Sequence, residues 1–117
     1  MLRYAFRYTE TEVRYILRER TIEKWLGKEL RASGCLYYKF VSPGNAGVPD
    51  RIVVTPSGKI WFLELKQDNG TVSQAQTMQI RLLEKHSQRV RVVIGKEGAV
   101  SVLKEILAVE RKRGDAP

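Results

Sequence analysis

Asp50 and, fourteen residues further on, the triplet Glu64-Leu65-Lys66 are the residues of this chain best suited to chemistry. Two carboxylates supply hard oxygen ligands. Mg²⁺ or Mn²⁺ is usually held by one or two such groups, with water and substrate phosphate filling the rest of its shell. A lysine two residues from one of the acids completes the parts of a metal-dependent phosphodiesterase. In a strand, side chains at i and i+2 share a face, so Glu64 and Lys66 would point the same way with Leu65 turned into the core. The triplet alone proves little, because Glu110-Arg111-Lys112 has the same form in a basic tail without an apolar frame. Around Glu64 the frame is present: Ile60-Trp61-Phe62-Leu63 leads into it, and Asp50 follows the Gly-x-Pro turn Gly47-Val48-Pro49.

Those side chains need two strands to bring them together. Asp50 heads Arg51-Ile52-Val53-Val54, and the turn Pro56-Ser57-Gly58 can fold that strand back onto Ile60–Leu63. Antiparallel neighbours would set the three groups within a few ångströms of one another. Upstream, residues 1–8 are apolar, aromatic and basic without a clear period, consistent with a short strand, a docking arm or a partner contact. Thr9-Glu10-Thr11-Glu12 is a capping box that starts a helix. Val13, Ile16 and Leu17, then Ile22, Trp25, Leu26 and Leu30, follow helical spacing to a stop at Ser33-Gly34, with a drift near Thr21 that allows two helices instead of one. Leu36 to Val41 reads as a strand, and Ser42-Pro43-Gly44-Asn45-Ala46-Gly47 as a loop.

Beyond Lys66 a turn over Gln67-Asp68-Asn69-Gly70 leads to a helix from about Ser73 carrying Met78, Ile80, Leu82 and Leu83. Arg89 to Ile94 alternates basic and apolar residues as a half-buried strand does. A last helix from about Gly98 carries Val100, Val102, Leu103, Ile106 and Leu107, and the tail 110–117 is expected to fray. The order is α-β-β-β-α-β-α, an α/β chain with a mixed sheet flanked by helices, in one domain over 1–117 with no repeat or linker.

Composition narrows the partners. Twenty-one Lys and Arg against thirteen Asp and Glu give +8, which favours a polyanion, nucleic acid first; a basic surface kept for solubility is the plainer account. With 43% hydrophobic and 29% charged residues the chain belongs with globular domains, not disordered ones. No apolar run reaches the length of a membrane span, and no apolar leader opens the chain, so no membrane partner is expected. A single cysteine, Cys35, excludes an internal disulfide and suits a reducing, cytoplasmic setting; it reads as a small buried residue rather than a nucleophile.

Several stretches taken together carry a resemblance. They are Ile22-Glu23-Lys24, Tyr38-Lys39-Phe40-Val41-Ser42-Pro43-Gly44, Gly47-Val48-Pro49-Asp50-Arg51-Ile52-Val53, Trp61-Phe62-Leu63-Glu64-Leu65-Lys66 and Ser73-Gln74-Ala75-Gln76. The chain resembles the PD-(D/E)XK nuclease superfamily and, within it, the VRR-NUC family, the virus-type replication-repair nucleases of phages and bacteria. The resemblance spans about Ile22 to Leu107; residues 1–20 form an N-terminal extension and 110–117 a tail outside it. It implies a restriction-endonuclease-like fold and a Mg²⁺-dependent nuclease, with Mn²⁺ able to substitute. Asp50 and Glu64 match the metal-binding acids, joined by the backbone carbonyl of Leu65; Lys66 matches the catalytic lysine and Gln76 the site glutamine of the following helix. Glu23 matches the glutamate of the first helix, an outer-sphere metal ligand or an orienter of water, with Glu19 one turn earlier as its rival.

Each assignment has a plainer counterpart. Ser73-x-x-Gln76 is also a capping box, in which Gln76 would reach back to the Ser73 backbone. Glu23 could pair with Lys28 or Arg20 on a solvated face, and His86 stands alone near a helix end as a structural or exposed residue. Tyr37, Tyr38 and Trp61 read as core or interface packing. Gly44 and Gly47 suit either a close phosphate or ordinary turns. Lys24, Lys28, Arg81 and Lys85 are candidates to track a DNA backbone. The resemblance further implies a homodimer cutting branched DNA such as a Holliday junction, in a bacterial or phage-infected cell. The competing reading is a non-catalytic nucleic-acid-binding subunit of a phage or bacterial replication complex.

Overall fold

The computed structural model describes residues 9–10 and 22–114. Residues 1–8, Glu19 and most of the helix predicted from Thr9 lie outside the described residues. Within them the elements run α1 (Ile22–Ala32), β1 (Leu36–Lys39), β2 (Arg51–Val54), β3 (Ile60–Lys66), α2 (Gln74–Lys85), β4 (Arg89–Ile94) and α3 (Gly95–Gly114). This is the α-β-β-β-α-β-α order and the mixed sheet that the sequence predicts.

The strands lie side by side as β1-β2-β3-β4. β1 with β2 and β2 with β3 are antiparallel, while β3 and β4 are parallel, joined through α2. Tyr37, Val53 and Trp61 are cross-strand neighbours on one face, and the buried Leu63 lies two residues beyond Trp61 on the same face. Against that face α1 packs Trp25, Leu26 and Leu30, and α3 packs Ala99, Val102, Leu103, Ile106 and Leu107. The α3 set falls at i, i+3, i+4, i+7 and i+8, the stripe an amphipathic helix buries. α1 stops where the sequence says it should. Gly34 takes φ 91°, and the N–H groups of Gly34 and Cys35 close back on the carbonyls of Arg31 and Leu30. Cys35 is buried there, and burial pushes its thiol up to about 11, which makes it inert.

The other face is covered unevenly. Leu36, Tyr38 and Ile60 share it and remain 48%, 56% and 40% exposed. α2 buries no residue fully. Of its four predicted apolar residues, Ile80 and Leu83 are half-buried, whereas Met78 and Leu82 are 64% and 45% exposed. Two apolar stripes run along this helix, and only one of them can face the sheet.

Two boundaries depart from the sequence reading. α3 begins at Gly95, directly after β4, instead of near Gly98. At the other end it continues to Gly114, and Glu110 is not frayed: its carboxylate accepts hydrogen bonds from the Ser57 amide (3.1 Å) and the Ser57 hydroxyl (2.7 Å). The helix end is therefore tied to the β2–β3 turn. Burial raises the Glu110 carboxyl, but the bonds from Ser57 and Thr55 outweigh it and hold the group below its ordinary range. A depressed carboxylate stabilises the fold while ionised. The contribution is present above the unfolded value of about 4.3 and is lost as pH falls through the lower folded value. Glu110→Gln is expected to cost about 1 kcal/mol at neutral pH. Urea titrations of variant and wild type should converge in acid; a gap that persists undiminished there would show that the charge is not its source.

Candidate active site

Strand direction decides where the chemistry collects. β1, β3 and β4 all run the same way and β2 runs against them. One end of the sheet therefore carries the close of β1 (Lys39), the start of β2 (Asp50-Arg51), the close of β3 (Glu64 to Lys66) and the start of α3. Extending the β2–β3 register by one step sets Asp50 opposite Glu64. Asp50 is anchored from two directions. Its carbonyl accepts from the Phe40 amide at 2.7 Å, and its Oδ2 accepts from the Leu65 amide at 3.0 Å. Pro49, fully buried before it, fixes its own φ and restricts the backbone of Val48.

Glu64 is the centre of the arrangement and is only 2% exposed. Its Oε2 accepts from Gln76 Nε2 at 2.9 Å and lies 3.4 Å from Lys66 Nζ, while its Oε1 is buried with no hydrogen-bond partner among the described residues. Burial pushes the Glu64 carboxyl above its ordinary range, Asp50 pushes it further, and Lys66 pulls back in part. A buried, unpaired carboxylate oxygen beside a second carboxylate is costly unless a cation joins them. Glu64, Asp50 and the Leu65 carbonyl are suited to hold one hard divalent ion. No group of three or more His, Cys, Asp or Glu gathers among the described residues.

Gln76 does both things the sequence offered as alternatives. Its Oε1 accepts from the Ser73 amide at 3.0 Å, and its own amide donates to Ser73 Oγ at 3.1 Å, closing the capping box. Its Nε2 is left to donate to Glu64. An amide has a separate donor and acceptor, so capping the helix fixes the end that reaches the site. Gly47 seats this helix: with φ 91°, its Cα approaches α2 so closely that a Cβ would lie 2.5 Å from the Ala75 carbonyl. Gly44, with φ 84°, has open space instead and answers only to turn geometry.

Glu23 is paired with Arg51, and Arg20 lies outside the described residues. A cleft of about 550 Å³ carries Glu23 and Arg51 together with Asp50, Lys66, Lys24 and Lys39. Of the proposed DNA-tracking residues, Lys24 lines this cleft and Lys28 follows one turn along α1. Arg81 and Lys85 are exposed on α2, and Lys85 lies roughly 13 Å down the helix axis from Gln76. Tyr37 and Trp61 are core residues, at 5% and 1% exposure, whereas Tyr38 is open. His86 is exposed and bonded through Nδ1 to the Leu82 carbonyl at the end of α2. Sequence reasoning assigned no role to Lys39 or Arg51, although both stand inside the stretches it singled out.

A mixed sheet with helices on both faces and an acid, an acid and a lysine gathered at one end defines a restriction-endonuclease-like nuclease domain. A solved structure described as "VRR_NUC domain" superposes with a TM-score of 0.64 at 30% identity, over 72% of this chain and 90% of that one. The chain belongs to the VRR-NUC family. A second structure, "VRR_NUC domain protein", shares the fold at 21% identity and TM-score 0.57, over 84% of this chain and 87% of that one. No family model matches the chain. Among curated proteins, "Putative nuclease p44" of Acyrthosiphon pisum secondary endosymbiont phage 1 is 57% identical over 51 residues, which make up 44% of this chain. The matched segment spans about half of that relative, 55% of its length. No helix among the described residues is long and apolar enough to cross a membrane.

Proposed function

We propose that this chain is a metal-dependent DNA endonuclease that hydrolyses phosphodiesters in branched DNA, as a Holliday-junction resolvase does, in replication, recombination or repair. The observation that carries the reading is the buried Glu64 carboxylate, with one oxygen engaged by Lys66 and Gln76 and the other left without a partner near Asp50. Family membership and the phage relative's name support the nuclease part.

In this mechanism Asp50, Glu64 and the Leu65 carbonyl would hold Mg²⁺, or Mn²⁺ in its place. The ion, when bound, neutralises charge on the scissile phosphate and lowers the pKa of water. The side chains supply the rest. The Leu65 amide holds Asp50 in place, and Gln76 and Lys66 fix the direction of the Glu64 carboxylate. Lys66, with a side chain 19% exposed, orients the attacking water and stabilises the charge that grows on the phosphate oxygens. Water adds to phosphorus, the bond from phosphorus to one sugar oxygen breaks, and a phosphate monoester and a hydroxyl remain. Glu23 pairs with Arg51 and lines the same cleft as Asp50 and Lys66, which supports an outer-sphere role for it. Lys24 and Lys28 extend a basic track from the site, giving binding that weakens with salt and reads little sequence.

Branched DNA and a two-fold dimer belong to the same proposal, since paired sites can cut opposing strands. The exposed Leu36, Tyr38 and Ile60 on the sheet, with Met78 and Leu82 on α2, supply apolar surface for a second copy. Cleavage of an end-labelled four-way junction should need Mg²⁺ or Mn²⁺ and exceed that of linear duplex of the same sequence. Equal cutting of both sinks the branched-DNA part, and cutting that survives chelation sinks the metal. Light scattering that returns a monomer at assay concentration removes the dimer.

A further inference from the structure

Lys39 and Arg51 are partners in register on neighbouring antiparallel strands, so two cations stand side by side on one face of the sheet. Like charges directly opposite one another destabilise a sheet. Arg51 is largely committed: its guanidinium pairs with Glu23, lies 5.3 Å over the Tyr37 ring and is 17% exposed. Lys39 is different. It is exposed at the rim of the cleft and makes no hydrogen bond or ion pair among the described residues. Adjacent strands are about 4.8 Å apart, which sets Lys39, two strands from Glu64, roughly 10 Å away at the backbone. Alternation turns Lys39 and Arg51 to the α1 face of the sheet and Glu64 and Lys66 to the opposite one, so Lys39 does not share the scissile phosphate. The two sets meet where the cleft crosses the end of the sheet, lined by Lys39, Arg51, Asp50 and Lys66, one backbone phosphate further along. A hydrated divalent ion needs on the order of 200 Å³ at about 30 Å³ per water, well under the 550 Å³ of the cleft.

We propose that Lys39, backed by Arg51, forms a second phosphate seat that grips the DNA backbone phosphate next to the one being cut. The inference rests on the nuclease reading and adds a positioning residue to it. Arg51 is held in place by Glu23 and Tyr37 and supplies a fixed positive field, while the flexible Lys39 closes on the phosphate as a point charge. An anion between the two cations turns an unfavourable cross-strand pair into a binding site.

The test replaces backbone phosphates flanking the scissile bond, one at a time, with neutral methylphosphonates. Wild type, Lys39→Ala and Lys39→Arg are each assayed for cutting with Mg²⁺ and for binding by fluorescence anisotropy across a salt series. In wild type, one methylphosphonate position should weaken binding about tenfold. Lys39→Ala should lose about as much on the natural DNA, mostly in KM, with its salt slope reduced by about one. Combining the variant with that methylphosphonate should cost nothing further, and Lys39→Arg should restore most of the loss. Multiplying losses, or a Lys39→Ala salt slope equal to that of wild type, would overturn the seat. A wild-type control that binds but does not cut any of these DNAs indicts the nuclease reading instead, and the anisotropy comparison still decides for or against Lys39.

Discussion

Glu64→Gln is expected to lower DNA cleavage by at least about a thousandfold and, in the absence of metal, to make the protein more stable. The two effects have one origin. Glu64 is 2% exposed, its Oε1 has no partner among the described residues, and burial and Asp50 both disfavour its ionised form. A carboxyl whose folded pKa is raised weakens the fold when ionised. The penalty is absent below the unfolded value of about 4.3 and complete above the folded value, so at neutral pH the metal-free protein carries it. Glutamine keeps the shape and removes the charge, for an expected gain of about 1–2 kcal/mol that fades toward acid pH. Adding Mg²⁺ should reverse the ranking. Wild type then gains from binding, by about 2.7 kcal/mol at a hundred times Kd, while the variant gains little. Thermal melts with chelator and with Mg²⁺ check both halves. A variant less stable than wild type in chelator at neutral pH would show that the carboxylate is a structural partner of Lys66 and Gln76, not a ligand held ready for an ion.

How far the sequence could carry this depends on the range of each interaction. The strands around Asp50 and Glu64 were legible because apolar alternation and turn residues act locally, and the i, i+2 rule then fixed which side chains meet. The Ser73-x-x-Gln76 box was legible for the same reason, but as a choice between cap and site. Only the packed fold shows that one amide serves both, with its donor on Glu64 and its acceptor on Ser73. The pairing of Glu23 with Arg51 was not legible, because Arg51 reaches it from a strand and not along the helix. The seating of Glu110 on Ser57 joins residues fifty-three apart, and no local pattern signals it. The same holds for Lys39 beside Arg51, which needs the β1–β2 register, and for Met78 and Leu82, whose helix has two apolar stripes and one sheet to meet.

The second large effect comes from a residue without a functional group. In Gly47→Ala the new Cβ would lie 2.5 Å from the Ala75 carbonyl and 2.7 Å from the Gln76 amide nitrogen, backbone atoms that have no rotamer to escape into. The positive φ of 91° adds about 1–2 kcal/mol for any L side chain. Loop and helix must therefore separate. The separation pulls Gln76 away from Glu64 and strains the hydrogen bond by which Asp50, three residues beyond Gly47, holds the Leu65 amide. Misplacing catalytic groups by about 1 Å costs on the order of a hundredfold in rate, which is the expected loss here. Gly44→Ala is the control, because it has nearly the same φ, 84°, but nothing within 4 Å of its new Cβ. It should pay the conformational cost alone and cut within about threefold of wild type. Both variants are compared by single-turnover cleavage below their melting points, with circular dichroism confirming that each is folded. Equal losses in the two would mean that loop conformation, and not its seat on α2, sets the site. A large loss in Gly47→Ala alone would place the control of Glu64 in the contact between that loop and the capped end of the helix.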